Sequence, residues 1–289
     1  MTIKDLSTLH EGNRTGVLLI HGMGGTPVEM KTVAKRLNHA GYTVMCCQLA
    51  GHCGTEIDLS ATRWQDWYAS AEEALSRLED HCDTIVVGGL SMGGLLAAKL
   101  AAAEPHRVNG IVVLAPTLWY DGWTMPWYAI LLKLLRPWIG VLPFLKHWSF
   151  AEREPYGIKD ERIRKIILQA MTSGDSTLAG VFGTPAHALR ELWRLTGALK
   201  PELPNIRQRA LVIQARDDDI ASLRNAQYLQ SRLGGLVETL VLDNSYHLIT
   251  VDQQRHLVND RVVSFVATIA KAADSASTGK NTSVSIHAA

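Results

Sequence analysis

The chain has almost no net charge. Its 289 residues carry 29 Lys and Arg against 28 Asp and Glu, a formal balance of +1. A nucleic-acid partner calls for a basic face or stripe, so none is expected. Cysteine is scarce. Cys46, Cys47, Cys53 and Cys82 are the only four, and no pair has Cys-x-x-Cys spacing. Neither a disulfide framework nor a structural zinc site is implied; small reduced thiols are the expected role. Long apolar runs are missing too, since no stretch reaches the roughly 18–20 residues that cross a bilayer. Met1–Thr15 is polar and lacks the apolar core of a secretory signal. The expectation is a soluble cytoplasmic protein. Internal repeats are also lacking. What is present is apolar bulk: 47% of the chain, enough for one large α/β domain or a domain with an insertion.

The most informative stretch is Gly89-Leu90-Ser91-Met92-Gly93-Gly94. Before it, Thr84–Val87 is a short β-branched apolar run that reads as a buried strand. After it, Leu95–Ala103 is built of strong helix formers. A Gly-x-Ser-x-Gly on a sharp strand-to-helix turn is a nucleophile elbow. The glycines are there for space, because a Cβ two residues from the serine would collide with strand or helix. The helix start presents free N–H groups, and the Met92 N–H is the expected donor to a developing oxyanion. A phosphate loop is excluded because no Gly-Lys-Ser/Thr closes the motif.

Val17–Ile20 reads as another buried strand, followed by His21-Gly22-Met23-Gly24-Gly25-Thr26-Pro27 and a helix to about His39. A dinucleotide fingerprint fails here, because Pro27 stands where the third glycine belongs. Further strands are expected at Tyr42–Cys47, Val108–Ala115, Arg209–Gln214 and Val237–Leu242. Helices are expected near 64–79, 222–233 and 252–270. This alternation implies a mostly parallel sheet with helices on both faces. It stops between Thr117 and Lys200, a segment with no convincing strand and six of the chain's eight tryptophans. The expected organisation is an α/β core at 1–116 and 201–272, a largely helical Trp-rich cap at 117–200, and a disordered tail at 273–289.

A serine needs a base, and the base needs an orienting acid. In a strand–elbow–helix fold the chain order is Ser, then acid, then His. Of eleven histidines, only His247, His256 and His287 follow the acidic cluster Asp217-Asp218-Asp219. His287 lies in the tail and His256 inside the last helix. His247 lies in the loop after the last strand, at the sheet edge to which the elbow points. It is the candidate base. All three aspartates lie just past a strand end, and those that are not the acid are expected in a solvated turn or at a helix N-cap. His21 precedes the serine and is expected to be a structural hydrogen-bonding group.

These residues carry a resemblance. The sequence resembles the α/β-hydrolases, in particular the bacterial carboxylesterase and monoacylglycerol-lipase-like group, through Leu-Leu-Ile-His-Gly-Met (18–23), Gly-Tyr-Thr-Val (41–44), Gly-His (51–52), Gly-Leu-Ser-Met-Gly-Gly (89–94), Leu-Val-Ile-Gln-Ala-Arg-Asp-Asp-Asp (211–219) and Asn-Ser-Tyr-His (244–247). The matches cover the core and not the cap. In that group the acid falls two residues after the Arg of an Ala-Arg turn, which implies Asp218. The resemblance also implies Met23 and Met92 as oxyanion donors. Two positions depart from the pattern: Cys53 replaces the last Gly of Gly-His-Gly, and Tyr246 replaces the Gly common before the catalytic His.

The resemblance implies a serine esterase acting on small-molecule carboxylic esters with an apolar acyl or alcohol part, using Ser91, His247 and Asp218 and no metal or organic cofactor. Gly22, Trp119 and Tyr246 are candidates for the substrate pocket. The apolar stretches Ala129–Trp138 and Val141–Leu145 of the cap are expected to receive an acyl chain. A second reading lays this segment on a membrane surface, with Lys133, Arg136 and Lys146 near the headgroups; a third makes it only the cap's own core. An acyltransferase or thioesterase would use the same acyl-enzyme, and a non-catalytic hydrolase-like binding protein is the remaining alternative.

Overall fold

The computed structural model describes residues 3–124, 149–151, 153–172, 180 and 183–284. Seven strands form one sheet: β1 (Thr8–His10), β2 (Asn13–Ile20), β3 (Tyr42–Cys47), β4 (Thr84–Leu90), β5 (Gly110–Leu114), β8 (Arg209–Ala215) and β9 (Val237–Leu242). Their order is β1-β3-β2-β4-β5-β8-β9. Only β1 runs antiparallel to its neighbour. Most of these strands are apolar at every inner position because both faces are covered.

Alternate residues feed two cores. Leu18, Ile20, Val87, Ile111, Val113 and Val212 face α3 (Trp64–Glu79), α4 (Met92–Ala103), α6 (Ala186–Leu199) and α7 (Arg224–Arg232). Val17, Leu19, Val86, Val112 and Leu211 face α1 (Lys31–His39) and α8 (Arg255–Val284). On α8 the buried residues Val258, Val262, Phe265, Val266 and Ile269 recur at helical spacing.

The register decides what comes together. Ile20 pairs with Gly89, Leu90 with Leu114, Leu114 with Ile213, and Ala215 with Leu242. The parallel strands therefore end level with one another. The loops that follow them, carrying Gly22, Ser91, Thr117, Asp218 and His247, emerge at one sheet edge, where β3 and β4 lie on opposite sides of β2.

Several expectations change. The helix expected from Pro27 begins as a 3-10 turn (Pro27–Met30) before α1. The short helix α2 (Glu56–Ser60), started by a Thr55–Asp58 capping box, lies just past a stretch read as loop. The segment 117–200 does contain strands: β6 (Ser149–Ala151) and β7 (Gly183–Pro185) form a two-stranded antiparallel sheet beside α2 and α6, and the segment also holds α5 (Glu161–Thr172). Three-residue strands are too short for alternation to reveal. The last helix, Arg255–Val284, runs into 273–284, the stretch expected to be a disordered tail; Lys271-Ala272-Ala273 and Ala276 favour helix where it enters that stretch. Residues 125–148, with Trp127, Trp138 and the apolar cap stretch, lie outside the described residues, as does His287. Among the described residues no helix is long and apolar enough to cross a membrane. The four cysteines are buried and form no disulfide, and burial pushes the Cys46, Cys47 and Cys53 thiols up to about 12.

Candidate active site

The elbow is tight in the way its glycines suggest. Ser91 has φ +54° and ψ −117°, a strained geometry for a non-glycine residue. A Cβ on Gly93 would lie 2.2 Å from the Ile20 carbonyl oxygen and 2.5 Å from that of His21. One on Gly89 would lie 2.3 Å from the Gly93 carbonyl carbon. Three backbones meet here with no room for side chains. The Ser91 N–H donates to Leu114 O at 2.7 Å, tying the turn to β5. The residue that follows Ser91, Met92, opens α4 and is fully buried. The Ser91 hydroxyl lies 2.8 Å from that of Thr117.

Asp218 and His247 meet. His247 Nδ1 is 2.8 Å from Asp218 Oδ2 and 3.0 Å from Oδ1. The same carboxylate accepts the N–H groups of Ile220 (2.9 Å) and Ala221 (2.8 Å) and the Gln214 amide (2.9 Å). An acceptor held on every side assigns the imidazole proton to Nδ1 and leaves Nε2 as the nitrogen able to take one. Of the three consecutive aspartates, Asp217 is exposed and Asp218 and Asp219 are buried. Asp219 is not the solvated turn or cap residue expected. It accepts the His247 N–H at 3.2 Å and the Gly157 N–H at 2.9 Å, while burial raises its pKa. His256 is exposed on α8.

His21 is structural. Its Nε2 accepts the Leu49 N–H at 3.2 Å, so Nδ1 donates to Gly22 O at 2.8 Å. Desolvation holds its pKa down at about 3, and that of neighbouring His52 at about 4. Both rings stay neutral and brace the turn. Cys53, at the position where Gly is usual, takes φ +64°.

Gly22 faces the serine: a Cβ there would lie 3.6 Å from Ser91 Cβ and 3.5 Å from Glu29 Oε2. Glu29 was missed. Its carboxyl accepts the Gly22 N–H at 3.0 Å, one residue before Met23. Burial pushes it up to about 7. The available signal was the Thr26-x-x-Glu29 spacing of a capping box; the Thr26 side chain does accept from Val28 N–H, but Glu29 reaches back beyond the cap. Thr117 was missed too, and nothing local marks it. Tyr246 stacks edge-on against the exposed Trp123, with ring centroids 5.5 Å apart. Trp119 packs on α7 instead: its ring meets Tyr228 at 5.0 Å and lies under Lys200 Nζ at 3.9 Å.

A strained serine between a mostly parallel sheet and a helix, level with an Asp–His pair, defines an α/β-hydrolase. Residues 12–254 match the Hydrolase_4 family, described as serine aminopeptidase, S33, and the chain belongs to that family. A thermostable monoacylglycerol lipase of Bacillus sp. (strain H-257) is 30% identical over 258 residues, covering 89% of this chain and 92% of the lipase. A carboxylesterase of Bacillus subtilis (strain 168) is 24% identical, covering 89% of this chain and 94% of its own. Among solved structures, a metagenome-derived lipolytic enzyme superposes with a TM-score of 0.76 at 28% identity, covering 91% of this chain and 97% of that one. A soluble variant of Saccharomyces cerevisiae monoglyceride lipase shares the fold, with a TM-score of 0.76 at 14% identity, covering 93% of this chain and 95% of its own. The protein is an ester-hydrolysing enzyme of the lipase and esterase kind.

Proposed function

We propose that the protein hydrolyses carboxylic esters with an apolar acyl or alcohol part, monoacylglycerols among them, through a Ser91–His247–Asp218 acyl-enzyme mechanism. The observation that carries this reading is the 2.8 Å contact between His247 Nδ1 and Asp218 Oδ2 at the sheet edge that holds Ser91. Ser91 Oγ attacks the ester carbonyl as His247 Nε2 takes its proton. Asp218 keeps the ring in the correct tautomer and stabilises the imidazolium. The Met23 and Met92 N–H groups hold the oxyanion. His247 then protonates the leaving alcohol, and water, activated by the same ring, cleaves the acyl-enzyme. Gly22 and Tyr246 line the entrance on this reading.

The test is hydrolysis of p-nitrophenyl esters and 1-monoacylglycerols of graded acyl length, with and without an added alcohol. Free acid released in a chain-length-dependent way, and abolished by Ser91→Ala, supports the reading. Transfer of the acyl group to the alcohol in preference to water replaces it with an acyltransferase. No turnover of any ester by folded protein removes it.

A further inference from the structure

Two buried aspartates outside the Ser91–His247–Asp218 set, Asp219 and Asp252, bridge two separate pieces of chain. Asp219 takes the His247 N–H on Oδ1 (3.2 Å) and the Gly157 N–H on Oδ2 (2.9 Å). Asp252 takes the Tyr246 N–H on Oδ2 (2.7 Å) and those of Lys159 (3.0 Å) and Asp160 (2.9 Å) on Oδ1. The Leu248 N–H donates to Gly157 O at 2.7 Å, closing the arrangement. Both carboxylates are at most 1% exposed. Residues 157–160 belong to the segment inserted between β5 and β8. Residues 246–248 form the loop that carries the base. The contact is also sterically tight. Gly157 has φ +73°, and a Cβ there would lie 3.2 Å from His247 Cβ and 3.0 Å from Leu248 Cγ.

A buried carboxylate between two backbone N–H groups is a strong, directional tie, because no water replaces it if it is lost. Asp218 fixes the imidazole ring, and nothing in that contact fixes the backbone from which the ring hangs. Asp219 does so, from the residue next to Asp218. The ring and the backbone of the base are thus set by adjacent side chains of one turn, and the inserted segment shares the second of them.

We propose that Asp219 is a positioning residue for the reaction: it sets the backbone of His247 relative to Asp218, and through Gly157 it makes that placement depend on inserted segment 157–160. The proposal rests on the hydrolase mechanism given above for the consequence in rate. It does not rest on it for the placement itself. A shift of segment 157–160 is therefore passed directly to the backbone of the base.

The experiment uses the full chain with Asp219→Asn and, separately, Gly157→Ala. Asn keeps one acceptor and turns an N–H donor toward the other N–H group, so one tie is lost. Gly157→Ala strains the same junction from the inserted side and leaves both carboxylates intact. Two signals are read on folded protein: the far-downfield proton resonance of the His247 Nδ1–H, and kcat and KM on one ester. The expected result is a displaced or broadened resonance in both variants. With it comes a fall in kcat of about tenfold or more and a KM within about threefold of the parent. An unmoved resonance and a kcat within about twofold in a folded Asp219→Asn variant overturn the proposal. If Asp219→Asn does not fold, Gly157→Ala decides on the same two signals. If the parent hydrolyses no ester, the mechanism has failed and the resonance alone still judges the placement.

Discussion

The hydroxyl of Ser91 lies 2.8 Å from the hydroxyl of Thr117, which in turn lies 3.2 Å from the Ala115 carbonyl oxygen. A carbonyl only accepts, so Thr117 donates to Ala115 and accepts from Ser91. Ser91 therefore directs its proton at a neighbour that cannot serve as a base. On the proposed mechanism that hydrogen bond must break before attack.

Thr117→Val removes the competing acceptor at nearly constant shape. A hydrogen bond of this kind contributes about 0.5–1.5 kcal/mol net. The second-order rate of Ser91 labelling by a fluorophosphonate is expected to rise by roughly two- to tenfold. A tenfold fall would make Thr117 part of the activating machinery instead.

Two glycines respond oppositely to the same substitution. Gly93→Ala places a Cβ 2.2 Å from a backbone oxygen, with nothing soft to yield, and should lower stability by at least ~3 kcal/mol. Gly197 lies inside α6, where an added Cβ meets nothing within 4 Å. Gly197→Ala should raise stability by ~0.5–1 kcal/mol. Thermal unfolding of the two variants beside the parent measures both signs.

His21 and His52 stay neutral in the fold down to about pH 3 and pH 4, whereas in the unfolded chain they take up protons near 6.5. The unfolded state then binds more protons as pH falls through this window, so stability present above 6.5 is lost below it. Between pH 6.5 and 5 the loss is on the order of 1–2 kcal/mol per histidine. Urea unfolding at the two pH values should show it, and His52→Gln should remove about half of the histidine contribution. A stability difference between the parent and His52→Gln that does not change from pH 5 to pH 6.5 would contradict burial of a neutral ring.

Glu29 has the opposite sign. Its carboxyl is pushed up to about 7 in the fold, against an ordinary value of 4.5. Below 4.5 both states hold the proton. As pH rises toward 7 the unfolded chain gives it up first, so the parent loses stability through that window. Glu29→Gln does not titrate and keeps an acceptor for the Gly22 N–H. Its stability relative to the parent should therefore increase between pH 4.5 and pH 8, as read from paired urea titrations. A constant difference would contradict the shift.

Much of the sheet was legible because its strands are short apolar runs with glycine or proline at their ends. Tyr42–Cys47 and Val237–Leu242 run as read, and helix Trp64–Glu79 follows its apolar spacing from end to end. The elbow was legible because a steric requirement writes glycines at fixed offsets from Ser91. The rest depends on distance in sequence. Asp219 looks like any turn carboxylate until Gly157 and His247, 62 and 28 residues away, close over it. Thr117 acts through a residue 26 positions earlier. Trp119, grouped with the cap tryptophans by composition, packs on Tyr228 of α7. Local periodicity carries no information about such pairings.

On the proposed mechanism Ser91 is an activated nucleophile. The most direct measurement is intact mass after treatment with a fluorophosphonate, on the native protein and on Ser91→Ala. A single covalent adduct is expected on the native protein and none on the variant. No adduct on folded native protein, or an adduct that persists in Ser91→Ala, would contradict it.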